Sequence, residues 1–68
     1  MAGIVAKPEL DETWQAVARL PQDQREVLVL RFWADLPIEE IARLLDRPTG
    51  TVKSQIHRGL AKVRKEIS

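Results

Sequence analysis

The residues best suited to grip another molecule are gathered between positions 47 and 62: Arg47, Thr49, Gly50, Thr51, Lys53, Ser54, Gln55, His57, Arg58 and Lys62. Cations, hydroxyls and an amide of this kind bind rather than transform. Lys and Arg neutralise phosphates, Ser and Thr hydroxyls donate to phosphate oxygens, and Arg holds a guanine edge through two parallel hydrogen bonds. Covalent chemistry finds little here. Glu39 and Glu40 are adjacent, but neighbours on a helix point about 100° apart, and acids in a first turn complement the positive end of the helix dipole. With no cysteine and His57 as the sole histidine, disulfides are excluded and the ligands of a zinc or iron site are missing. The expectation is a binding module with no catalytic residues, no metal, no cofactor and no small-molecule substrate.

Sixty-eight residues, 44% of them hydrophobic, suffice for one compact core. Residues 1–7 read as a flexible tail and 8–68 as the domain. Four prolines punctuate that domain, each where a helix can begin, since the first helical position needs no amide hydrogen. After Pro8, the apolar residues Leu10, Trp14, Val17 and Leu20 recur at helical spacing. After Pro21 comes a helix whose run from Val27 to Trp33 is apolar nearly all round, marking it as central; a polar, helix-favouring lead and the lack of a pairing partner argue against a strand. A third helix starts at Pro37 and turns Ile38, Ile41, Ala42, Leu44 and Leu45 inward. The fourth runs from about Pro48 toward Ile67, with Val52, Ile56, Leu60, Val63 and Ile67 along one stripe. Trp14, Phe32 and Trp33 are expected in or near the core, one of them partly exposed for a protein partner. The fold class is all-α: a small four-helix domain with a C-terminal helix-turn-helix and no wing.

Charge divides along the chain. Residues 1–46 hold five basic and nine acidic side chains, and residues 47–68 six basic ones against the single acid Glu66. Such polarity suits a polyanion bound at one end. The helices opened by Pro8, Pro21 and Pro37 each place acid in the first turn, whereas Pro48 is followed by Thr-Gly-Thr-Val-Lys. That helix leaves its positive end for a phosphate supplied from outside. Dipole complementation at the other end accounts for Arg64 and Lys65, but not for Lys53, Arg58 or the missing acids.

Subtracting the apolar stripe exposes the contact positions. Ser54, His57 and Arg58, on one face near the start of the helix, are expected to reach base edges in the major groove of duplex DNA. Arg47, Thr49, Thr51, Lys53 and Lys62 are expected on phosphates, and Gln55 fits either role. Gly50 costs about 1 kcal/mol relative to Ala inside a helix, which points to a close neighbour: the DNA backbone or the preceding helix. No apolar run approaches the roughly 20 residues of a membrane span, and the start lacks the features of a signal peptide, so a cytoplasmic protein with no membrane partner is expected.

Three ordered blocks carry a family resemblance: Leu20-Pro21 through Arg25-Glu26-Val27-Leu28 to Arg31-Phe32, then Leu36-Pro37-Ile38-Glu39-Glu40-Ile41-Ala42, then Pro48-Thr49-Gly50-Thr51-Val52-Lys53-Ser54 to Leu60. Together they resemble region 4 of bacterial sigma-70 factors, nearest the extracytoplasmic-function group. The resemblance implies recognition of the minus-35 promoter element, docking on the β flap of RNA polymerase, and an anti-sigma factor as a further partner. It also implies an excised domain or a fragment of a longer factor, binding DNA weakly alone. Asp46 stands where such turns often have Gly, which requires Asp in a left-handed conformation; Arg47 stands where an apolar residue is common. A LuxR-type regulator shares part of the pattern, but the continuation Ser54-Gln55-Ile56-His57-Arg58 favours the sigma reading. A helical protein-interaction module is the alternative from another class.

Overall fold

A computed structural model describes residues 12–67. Helix α1 spans Glu12–Ala18, α2 spans Gln22–Leu28 and continues into a π-helical turn at Val29–Trp33, α3 spans Ile38–Leu45, and α4 spans Thr49–Ile67. Among the described residues the regular structure is all helical, as the sequence implied. The expected tail, Pro8 and Leu10 lie outside them.

Pro21, Pro37 and Pro48 act one position earlier than expected. Pro21 and Pro37 have ψ of 152° and 157°, extended values that place them just before the helices as caps, and their carbonyls accept the first helical amides, Arg25 at 2.9 Å and Ile41 at 3.1 Å. A capping residue contributes its carbonyl and not its amide to the helix, so proline loses nothing there.

The core joins all four helices: Ala16, Val17 and Leu20 from the first segment, Val27 and Leu28 from α2, Ile41 and Ala42 from α3, and Val52, Ile56 and Val63 from α4. The element that α1, α2 and α3 all pack against is α4, where the sequence had suggested α2. Its 19 residues run for about 28 Å, long enough to underlie the other three. Gly59 permits a close approach to α2: a Cβ there would lie 3.0 Å from Leu28 Cδ1 and 3.5 Å from Gln24 Cβ.

Four apolar side chains depart from the expected burial, one of them Ile67, 39% exposed at the end of the α4 stripe. Leu44 is 62% exposed, because Ile38, Ile41, Ala42 and Leu45 form the inward stripe at spacings of three, one and three, and Leu44 falls about 60° beyond its edge. Phe32 and Trp33 are 52% and 62% exposed. Phe32 follows Leu28 by one turn and shares its face, but it stands at the end of its element, over an apolar groove it lines with Trp14, Val17, Leu28, Leu60 and Val63. Trp33 stands edge-on to Trp14, ring centroids 5.5 Å apart and planes at 89°, a favoured aromatic geometry.

Candidate nucleic-acid interface

The turn joining α3 to α4 depends on one residue in an uncommon conformation. Asp46 has φ 57° and ψ 51°, the left-handed region that its position demanded and that Asp tolerates better than most side chains. Its amide donates to the Arg43 carbonyl at 3.3 Å and the Arg47 amide to the Ala42 carbonyl at 2.9 Å, the paired bonds of a Schellman motif. Pro48 follows, and its carbonyl accepts the Val52 amide at 3.1 Å. First turns carry Glu12 in α1, Asp23 in α2, and Glu39 and Glu40 in α3, but no acid in α4. The positive end of the longest helix is therefore uncompensated by side-chain charge.

Beyond this end the exposed residues fall into bands. Ser54, His57 and Arg58 are all exposed and share an arc of about 100° on α4. Lys53 borders that arc on one side and Thr51 and Lys62 on the other, the two lysines each about 40° beyond it. Thr49 and Gly50 are exposed at the tip. Val52, Ile56, Gly59 and Val63 occupy the opposite, buried face. A shallow concavity of about 420 Å³ runs along the exposed side, lined by Pro48, Gly50, Thr51, Ser54, Gln55 and Arg58. Nothing lies within 4 Å of a Cβ built on Gly50, so the preceding helix is not the close neighbour this glycine was expected to have.

Arg47 and Gln55 are placed differently from the rest. Both are half-buried. Arg47 donates through Nη2 to Glu26 Oε1 at 2.9 Å and through Nη1 to Gln55 Oε1 at 3.0 Å, and Gln55 Nε2 donates to Asp23 Oδ2 at 3.3 Å. Two carboxylates of α2 thus hold the turn and the first half of α4. Among the described residues the other ion pairs are Arg19 with Glu66 and Arg43 with Glu40, leaving Lys53, Arg58, Lys62, Arg64 and Lys65 of α4 without an acid partner there, along with Arg25 and Arg31, which donate instead to the Leu20 and Leu36 carbonyls.

Sequence reasoning passed over Asp23, Glu26 and Gly59. An ion pair 21 residues apart leaves no periodic trace. Gly59 did carry a signal, the same helix-interior glycine cost that singled out Gly50. Among the described residues no group of His, Cys, Asp or Glu could hold a metal ion, and no helix is long and apolar enough to cross a membrane.

Comparison with known proteins points one way. Residues 10–63 match the protein family described as sigma-70, region 4. The chain is 41% identical over 64 residues to the ECF RNA polymerase sigma factor SigW of Bacillus subtilis, covering 93% of this chain and 34% of that protein. It is 46% identical over 52 residues to the RNA polymerase sigma-E factor of Streptomyces antibioticus, covering 76% and 29%, and 48% identical over 48 residues to that of Streptomyces coelicolor, covering 71% and 27%. The chain therefore spans about a third of the length of these curated relatives.

Proposed function

The chain belongs to the region 4 family of sigma-70 factors, in the extracytoplasmic-function group, and from that premise we propose that it reads the minus-35 element of promoters for RNA polymerase. In this reading the first half of α4 lies in the major groove. Ser54, His57 and Arg58 face the base edges, and Arg58 grips guanine through two bonds. Lys53 on one border and Thr51 and Lys62 on the other meet the phosphate rows flanking a groove about 12 Å wide. Thr49 and the free amides of the first turn take a phosphate at the tip, and bare Gly50 lets it approach.

The observation that carries the reading is the exposed strip of Ser54, His57 and Arg58, bordered by lysines and headed by an acid-free helix terminus. Its work is positioning, and the chemistry of transcription belongs to the polymerase. The groove under Phe32 and the exposed Trp33 face supply an apolar seat for the polymerase β flap, and an anti-sigma factor would act by covering either face. A protein serving chromosomal promoters works in the cytoplasm.

A titration of the 68-residue chain against a randomised duplex pool at two salt concentrations tests this. Enrichment of one motif is expected, with four to six phosphate contacts giving a log–log salt slope of roughly −4 to −5. A flat slope with no enriched motif would leave a protein-docking bundle in its place.

A further inference from the structure

The polar cluster between α2 and the helix-turn-helix has features that a phosphate-binding arginine would not need. Of the two terminal nitrogens of Arg47, one donates to Glu26 at 2.9 Å and the other to Gln55 at 3.0 Å. The ion pair is screened from water, with 24% of the Arg47 side chain and 25% of the Glu26 side chain exposed. The amide of Gln55 is used at both ends, its oxygen by Arg47 and its nitrogen by Asp23. A glutamine reads adenine by presenting that same donor and acceptor together to the base edge. A Gln55 tied in this way keeps only its second amide hydrogen and second lone pair, in an orientation set by its bonds to Arg47 and Asp23. An arginine already facing a carboxylate likewise adds little net charge for a phosphate.

We propose that Arg47 is a positioning residue: anchored by Glu26, it holds the Gln55 amide against α2 and so keeps Gln55 out of the set of side chains that read DNA. The inference rests on the promoter-reading function proposed above. It goes further by stating which side chain on the reading helix is silent and which acids silence it. Specificity is then set partly from α2, whose Asp23 and Glu26 lie outside the helix-turn-helix and act only through Arg47 and Gln55.

The test uses the 68-residue chain and a randomised duplex pool, with Arg47→Ala, Arg47→Met, Gln55→Ala and the double variant Arg47→Ala/Gln55→Ala. Arg47→Met keeps the aliphatic stem packed if the alanine variant folds poorly. Gln55→Ala should recover the same motif as the parent. Both Arg47 variants should gain a preference for adenine of at least about fivefold at one position beside those already read, and the double variant should lose it. Their salt slopes should match the parent's, because the cation removed was already paired.

A slope shallower by about 0.9 in the Arg47 variants would make Arg47 a phosphate contact and overturn the proposal. So would loss of a base preference in Gln55→Ala. A readout without DNA separates this inference from the function beneath it: the side-chain amide resonances of Gln55 should sit apart from those of a free glutamine in the parent and move toward them in Arg47→Met. A parent chain that selects no motif sinks the promoter reading, while unmoved Gln55 resonances sink the clasp whatever the DNA result.

Discussion

Arg58 and Lys53 are five residues apart and about 140° apart around α4, which places them in different relations to a duplex. Arg58 lies in the central strip, so Arg58→Ala should cost about 1 to 3 kcal/mol and relax preference at one base pair. Lys53 lies on a border, so Lys53→Ala should weaken every sequence alike and shorten the salt slope by about 1. Equal losses on selected and random duplexes for both variants would overturn these roles. The two helix-interior glycines form a second contrast. At Gly59 a Cβ would press on Leu28 at 3.0 Å, and Leu28 is 1% exposed with no room to retreat. Overpacking of about 1 to 3 kcal/mol outweighs the helix propensity gained, so Gly59→Ala should lower the thermal unfolding midpoint. Gly50 has open space, so Gly50→Ala should stabilise the fold by up to about 1 kcal/mol while weakening DNA binding. A rise in both stability and affinity would show that no phosphate comes close there. These exposed positions were legible because the apolar period of α4 fixes its buried face and leaves the rest by subtraction. Arg47 was not, since its partners come from another helix and no local rule links them.

Among the elements, the Asp46 turn sets how α4 leaves α3. A left-handed residue other than Gly costs roughly 1 to 2 kcal/mol in general and less for Asp, and an acid at a helix C-terminus opposes the dipole. Asp46→Gly should therefore stabilise the fold by about 0.5 kcal/mol or more, read as a rise of a few degrees in midpoint, since about 1 kcal/mol corresponds to roughly 4 to 8 °C in a domain this small. Asp46→Val, with a branched Cβ at positive φ, should lower the midpoint by more than Gly raises it. An unchanged midpoint in both would show that the turn carries no strain. The starts of α2, α3 and α4 were readable within one residue because proline is tolerated at so few helical positions. The π-helical turn at Val29–Trp33 was not: its Ala34 amide reaches the Val29 carbonyl at 3.0 Å, and nothing in the local residue types distinguishes that spacing from α-helix. The exposure of Leu44 has a simpler origin, in that a helix face holds only so many apolar residues and the surplus one must face water.

At the scale of the molecule, α4 is shared by two surfaces. Leu60, which lines the apolar groove with Trp14 and Phe32, follows Arg58 by two residues and so points about 200° away from it. Charge follows the same division, with five cations on α4 lacking an acid partner among the described residues and first-turn acids on the other three helices. Such a body can hold DNA on one side and a protein on the other without competition, and Trp33 provides the means to test that independence. Trp33 is 62% exposed and stands edge-on to Trp14, so its loss removes an aromatic pair worth about 0.5 to 1.5 kcal/mol and little else from the core. Trp33→Ala should unfold a few degrees lower, keep the parent's motif, affinity and salt slope on duplex DNA, and bind core RNA polymerase more weakly. Matched losses on DNA and polymerase, in a variant whose helicity is intact, would mean that the two faces are coupled through α4 and act as one site.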